Sequence, residues 1–273
     1  VLLPMAFVPL PDQADLRGKL VFLGTGTSVG IPVIGCGCAV CLSANPKDRR
    51  TRCGLALGLP EGTLLVDTTP DLREQLLRER IGFVHSVLYT HEHADHLFGL
   101  DDVRVLTYYL GKKLPLYCEA HVEARIRRSF DYAFGGEGES GGASVPHLEI
   151  MPIGLEPFEL LGQQIIPLRL YHGKFRVLGF RFGNIAYCTD VNGIPDASLA
   201  QLQNLDVLII DALRHKFHPT HFNLQQAVEV SQKLGAKRTY FTHMCHDLAH
   251  DATNAELPPG MELAYDGLQL DLT

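Results

Sequence analysis

The chain has 273 residues, 46% hydrophobic and 20% charged, the balance of a globular protein with a full core and not of a disordered one. Its 24 Lys and Arg against 31 Asp and Glu leave a formal net charge of −7, so the molecule as a whole does not attract polynucleotide phosphate or an anionic membrane. No run reaches the ~18–20 consecutive apolar residues that a membrane-spanning helix needs, and no membrane partner is expected.

The opening stretch, residues 1–11, is apolar. It lacks a basic start and is interrupted by Pro4, Pro9 and Pro11, so residues 1–18 read as an N-terminal extension and not as a signal peptide. Short β-rich runs follow at 20–23, 63–66 and 84–89. A helix is expected over 70–80, with Pro70 near its first turn and Leu72, Leu76 and Leu77 along one side. Gly-Gly-Glu-Gly-Glu-Ser-Gly-Gly at 135–142 reads as a surface loop. Further strands are expected at 165–170, 177–182, 185–188, 207–210 and 238–241. Residues 223–234 form a second helix, with Asn223 as N-cap, a stripe of Leu224, Ala227, Val228 and Val230, and Gly235 as its stop. Strands and helices mixed along the whole length, with no Ser-, Pro- or charge-rich linker, argue for one α/β domain.

The chemistry concentrates in the 13 histidines. Thr90-His91-Glu92-His93-Ala94-Asp95-His96 follows the run 84–89. Residues two apart in extended chain face one side, so His91 and His93 can grip one ion together, whereas on a helix they would point to nearly opposite faces. The chain must therefore turn after His93, bringing Asp95 and His96 round to a second ion. Imidazole with carboxylate suits Zn²⁺, Mn²⁺ or Fe. More candidate ligands stand just after other strands: Asp67 after 63–66, His172 after 165–170, Asp190 after 185–188 and His243 after 238–241. Polar residues collected at strand ends form one rim of a sheet, where α/β sites usually lie. A carboxylate such as Asp190 can bridge two ions ~3.5–4 Å apart.

Seven cysteines is an odd number, and Cys36, Cys38 and Cys41 crowd into Gly-Cys-Gly-Cys-Ala-Val-Cys. That suits a metal site in a reducing compartment better than a disulfide framework. Three thiolates need a fourth ligand to close a tetrahedral zinc site. His246, three residues beyond His243, is the leading candidate, with Cys245 and Cys53 as competitors. Cys118 and Cys188 read as small core residues. The runs Arg49, Arg50, Arg52 and Arg125, Arg127, Arg128 read as solvated faces before nucleic-acid sites.

With Leu23-Gly-Thr-Gly-Thr-Ser-Val-Gly-Ile-Pro, the cysteine cluster, the basic run 49–53, the 91–96 motif, Cys188-Thr-Asp190 and Thr242-His243-x-x-His246, the chain resembles the metallo-β-lactamase-fold hydrolases, and most closely their PhnP-like cyclic phosphodiesterases. The resemblance runs from about residue 19 to 272. It implies a four-layer αββα sandwich, a single hydrolase domain over 19–273 with the structural zinc loop at 35–42, and a two-metal site along one edge. It places His91, His93 and His172 at the first metal, Asp95, His96 and His243 at the second, Asp190 bridging, and Asp67 orienting the ligands. His246 becomes the fourth ligand of the structural zinc. Asp95 and His221 are the catalytic residues, His221 of His-Pro-Thr-His-Phe-Asn-Leu giving a proton to the leaving group. The stretch 211–221 departs from the family in length and composition, so His218 and His215 compete for that role.

The activity implied is hydrolysis of a small, cyclic phosphodiester, two divalent ions (Zn or Mn, with Fe also fitting) lowering the pKa of a shared water, beside one structural Zn. Three alternatives stand beside it. A tRNA 3′-end endonuclease shares the 91–96 motif but recruits its polymer with a protruding arm, and no basic arm is visible here, so a nucleic-acid polymer is not the expected partner. A thioester or lactone hydrolase is open on the same fold. A non-catalytic metal-binding carrier, as in the pyrroloquinoline quinone biosynthesis protein of this fold, is the rival outside catalysis. The resemblance also implies a homodimer, and the cysteine usage a cytoplasmic setting.

Overall fold

The structure is a computed structural model, which describes residues 11–134 and 147–272; the loop 135–142 and the first ten residues of the extension lie outside the described residues. The first sheet contains β1 (Lys19–Gly24), β2 (Gly54–Leu59), β3 (Gly62–Val66), β4 (Ser86–Leu88), β5 (Leu114–Cys118) and β6 (Leu148–Pro152). The second contains β7 (Phe158–Leu160), β8 (Gln163–His172), β9 (Phe175–Phe182), β10 (Ile185–Cys188), β11 (Val207–Asp211), β12 (Arg238–Thr242) and β13 (Met261–Leu263). β14 (Gln269–Asp271) returns to the first sheet beside β1, giving the orders β14-β1-β2-β3-β4-β5-β6 and β13-β12-β11-β10-β9-β8-β7.

Strand side chains alternate between faces, and the alternation sorts the apolar residues into three layers. Leu20, Phe22, Leu55, Leu57, Leu64 and Val66 of the first sheet meet Leu178, Phe180, Ile185, Tyr187, Val207 and Ile209 of the second in the middle layer. Their neighbours Val21, Leu23, Ala56 and Leu65 face outward. There they pack against α1 (Leu72–Arg78), α2 (Ala94–Leu97), α3 (Arg104–Leu110) and α4 (Ala120–Ser129). Ala186, Cys188, Leu208, Ile210 and Phe241 face the other way, towards α5 (Asp196–Gln201), α6 (Leu224–Leu234) and α7 (His250–Glu256). Helices, sheet, sheet, helices is the four-layer αββα sandwich. Leu16, counted above with the extension, is buried in the outer layer of the first sheet. No helix among the described residues is long and apolar enough to cross a membrane.

The eight expected strands and two helices are present, with shifted ends. Helix α1 is shorter than 70–80. Helix α6 starts where Asn223 caps it: the Asn223 carboxamide accepts from Gln226 N, the Gln226 side chain accepts from Asn223 N, and Gly235 ends it in the left-handed region at φ 68°. Six strands and five helices carry no strong periodicity. β2 is Gly-Leu-Ala-Leu-Gly-Leu, rich in residues with low strand preference, β5 contains Pro115, and β7, β13 and β14 are three residues long.

The topology gives the site its place. β3-β4-β5-β6 run parallel, as do β10-β11-β12-β13, and β8 runs in the same sense as β10 because β9 is antiparallel to both. The carboxyl ends of these strands open on one rim.

Candidate metal centre

Every expected ligand lies on that rim. Thr90 and His91 follow β4, and His93 keeps extended backbone (φ −67°, ψ 154°) as N-cap of α2, which starts at Ala94 and carries Asp95 and His96. The turn after His93 is the one the motif demanded. His172 is the last residue of β8 and not the one after a shorter strand. Asp67, Asp190 and His243 leave β3, β10 and β12 with φ of 66°, 52° and 57°. Non-glycine residues rarely adopt the left-handed region, and each costs of order 1–3 kcal/mol. Here each turns a side chain into the cleft.

Asp190 lies at the middle of two histidine sets. Its Oδ2 is 3.8 Å from His91 Nε2 and 3.9 Å from His172 Nε2. Its Oδ1 is 3.2 Å from His96 Nε2 and 3.4 Å from His243 Nε2. Asp95 Oδ2 joins the second set at 3.4 and 3.5 Å from the same two nitrogens. The His93 ring is 4.5 Å from that of His91 and 5.1 Å from that of His172. One ligand atom each from His91, His93, His172 and Asp190 fits within a mutual 4.8 Å.

The other ring nitrogen of three of these histidines is occupied, while His243 Nδ1 is buried 4.0 Å from Asp211 Oδ1. His96 Nδ1 is 2.7 Å from Asp67 Oδ2, His172 Nδ1 donates to Thr220 O at 2.7 Å, and His91 Nδ1 is 3.0 Å from Thr90 Oγ1. Asp67 also accepts from Thr90 N at 2.9 Å and Thr90 Oγ1 at 2.8 Å. Nε2 of His91 and of His96 is buried and has no well-aligned hydrogen-bond partner. Orphaned buried polar atoms are costly, and a cation between these nitrogens and Asp190 removes the cost. The donor set fits two divalent ions.

Electrostatics agree with that fit. Burial and the neighbouring His96 push His91 well below its ordinary pKa, so it is neutral as a ligand must be. Burial opposes ionisation of Asp190, but His243, His96 and His91 more than offset it and hold the carboxyl well below the usual range. Burial likewise opposes a charge on His243, yet Asp190, Asp95 and Asp211 raise it to about 9. A cation entering the second set displaces that proton.

A second cluster stands apart. His246 Nδ1 is 3.3 Å from Cys36 Sγ, 3.4 Å from Cys38 Sγ and 3.5 Å from Cys41 Sγ. Tetrahedral zinc with Zn–S of about 2.3 Å and Zn–N of about 2.0 Å separates sulfur from nitrogen by about 3.5 Å. Cys245 is not part of this cluster; its Sγ accepts from Asp247 N. Nor is Cys53, which sits with His96, Asp190 and His243 inside a mutual 4.8 Å.

His221 is the buried histidine of its segment. Its Nδ1 is 2.6 Å from Asp211 Oδ2, its ring stacks on His243 at 4.7 Å and abuts His172 at 4.5 Å. His215 is exposed, and His218 lies 5.1 Å outward of His221. Sequence reasoning missed Asp211, which ends β11 and had the same strand-end signal as Asp190. Cys53, offered as a competitor for the cysteine cluster, lies instead beside the second histidine set.

A Beta-lactamase superfamily domain model matches residues 63–244. A solved structure described as a new diphosphatase from the PhnP family is 46% identical, covers 92% of this chain and 96% of its own, and superposes with a TM-score of 0.86. Zn²⁺-bound PqqB from Methylobacterium extorquens (20% identity, TM-score 0.75, 93% and 100% coverage) shares the fold. The short form of human tRNase Z (18%, TM-score 0.65, 93% and 99%) does so too. Among curated proteins, an octanoyltransferase of Porphyromonas gingivalis is 34% identical over 92% of this chain and 51% of its own length. Coenzyme PQQ synthesis protein B of Methylorubrum extorquens is 31% identical over 41% of each. The chain thus spans about half or less of the curated relatives it matches. With two seven-stranded sheets, helices on both outer faces and this histidine and aspartate rim, the chain belongs to the metallo-β-lactamase-fold hydrolases of the β-lactamase superfamily and resembles their PhnP-like group.

Proposed function

We propose that the protein hydrolyses a small phosphodiester, cyclic in its natural form, at a centre of two divalent ions. The observation that carries this reading is Asp190, whose two oxygens face two separate histidine sets while the His221–Asp211 pair lies alongside. His91, His93 and His172 would hold one ion, Asp95, His96 and His243 the other, with Asp190 shared. Bound there, the ions supply a hydroxide near neutral pH and offset charge on phosphoryl oxygens.

The protein's own groups do the rest. Asp67 fixes the His96 ring by accepting from Nδ1, leaving Nε2 for the centre. Asp211 does the same for His221, holding the ring by Nδ1 so that Nε2 is the atom left to protonate a leaving alkoxide, a contribution of typically ~10²–10⁴-fold. The Cys36, Cys38, Cys41 and His246 cluster would hold a structural zinc that ties the loop after β1 to the segment carrying His243. Those thiols serve as ligands only while reduced, which favours a cytoplasmic setting.

Phosphorus is preferred over carbon because the PhnP-family relative is a diphosphatase, and an anhydride and a diester offer the metals the same phosphoryl oxygens. The transferase name of the Porphyromonas gingivalis protein describes a chain of which about half is matched here. The test is a panel: a 2′,3′-cyclic nucleotide, bis(p-nitrophenyl) phosphate, diphosphate, an octanoyl thioester and a homoserine lactone. Turnover of the two diesters well above the thioester and lactone is expected. Preference for either carbon ester overturns the phosphodiesterase reading.

A further inference from the structure

Cys53 stands just before β2. That strand is antiparallel to β3, with Leu55 opposite Val66, so the start of β2 opens on the same rim as the end of β3. The Cys53 side chain is buried within the second histidine set: its Sγ and one ligand atom each of His96, Asp190 and His243 lie within a mutual 4.8 Å. Cys118 and Cys188 are as deeply buried, yet among the described residues neither joins a cluster of histidines and carboxylates. A preference of thiols for the core does not by itself put one here.

The groups round the sulfur leave it open towards the centre. Thr189 Oγ1 lies 3.3 Å from Cys53 Sγ, but its proton is spent on Asp190 Oδ1 at 2.8 Å. Tyr187 Oη lies at 3.6 Å on the sulfur. Across the set, Asp67 holds His96 by Nδ1, which turns the lone pair of His96 Nε2 into the space that Cys53, Asp190 and His243 enclose. That nitrogen is fully buried and has no well-aligned hydrogen-bond partner, an independent sign that a cation belongs there. Asp95 Oδ2 faces the same two histidines. The second position thus offers two imidazole nitrogens, two carboxylate oxygens and a sulfur, whereas the first offers three nitrogens and one oxygen.

We infer that Cys53 is a ligand of the second ion, binding through its sulfur as a thiolate, and that this position is built for zinc ahead of manganese. The inference rests on the two-ion reading of the centre and names the metal chemistry of one of its positions. Thiolate is a soft donor that suits Zn²⁺, while carboxylate and water suit Mn²⁺. The thiol proton leaves to water as the metal binds, as it does for any cysteine ligand.

Cobalt(II) titrated into protein depleted of exchangeable metal, with zinc retained at the cysteine cluster and checked by metal analysis, tests this. A thiolate on Co²⁺ gives a sulfur-to-metal charge-transfer band in the near ultraviolet that nitrogen and oxygen ligands do not give. With two Co²⁺ bound beside the zinc, the unaltered protein should show the band, and Cys53→Ser should lose it while still binding Co²⁺. In competition experiments the same variant should lower the preference for Zn²⁺ over Mn²⁺ at one position by at least about tenfold. Two bound Co²⁺ without the band in the unaltered protein, a result that needs no variant to fold, overturns the ligand and spares the two-ion centre. So does a band that persists in Cys53→Ser. Failure of the unaltered protein to bind Co²⁺ beyond the zinc overturns the two-ion reading and this inference with it.

Discussion

Asp67 is fully buried and accepts three hydrogen bonds, two from Thr90 and one from His96 Nδ1. Asp67→Asn keeps its shape but sets an amide donor or a neutral oxygen against those partners. Metal affinity or activity should fall ~10–100-fold, read by metal retention against graded chelator. His221→Ala should retain metal and lose ~10²–10⁴-fold in rate on esters with poor leaving groups, with far less loss on p-nitrophenyl esters. Asp211→Asn should follow in the same direction; equal loss on both classes of ester would remove the acid role. Ligand types were legible because His or Asp stands at the end of five expected strands, within the 91–96 motif in one case and singly in the other four. The place of Cys53 was not, since a lone thiol beside a strand has no pattern that says which cluster it joins. Burial pushes that thiol up to about 12, so it is neutral in the absence of metal.

At the scale of elements, two devices bind the loop after β1 to the segment after β12. One is the cysteine cluster. The other is Arg50, fully buried, which donates to Cys245 O at 3.0 Å and Leu248 O at 2.6 Å and lies 3.4 Å from Asp48. Cys41→Ser should release zinc and lower Tm by at least about 5 °C, equivalent to roughly 2 kcal/mol in a domain of this size, read by calorimetry with zinc analysis. His250 packs at the start of α7, and burial, with Lys47 and Arg50 nearby, lowers it from 6.5 to about 4. Between those values the unfolded chain binds a proton that the folded chain does not, so stability falls as pH drops from about 6.5 towards about 4. Denaturant midpoints at pH 7 and pH 5 should show the loss, and His250→Gln should lessen it. Helix α6 was legible to the residue because a capping box and a Gly stop are local signals. β2, β7 and β13 were not, because β2 is built of residues with low strand preference and β7 and β13 are only three residues long, too short to show an alternation.

Across the whole molecule, the two sheets divide the candidate ligands between them. Asp67, His91, His93, Asp95 and His96 follow strands of the first sheet; His172, Asp190, Asp211 and His243 belong to the second. Metal bound between them would join the halves, so removing it should lower Tm as well as activity. Composition and periodicity were enough for a mixed α/β chain. The four layers and the pairing of ligands from opposite sheets followed only from the family resemblance, since no local signal says which strand ends meet. Turnover of bis(p-nitrophenyl) phosphate measured against metal content tests the central claim most directly. The account predicts that activity rises with two ions per chain beyond the one at Cys36, Cys38, Cys41 and His246, and that Asp190→Ala loses both those ions and the activity. Turnover that persists in protein stripped of those two ions, or none with the full complement bound, would contradict it.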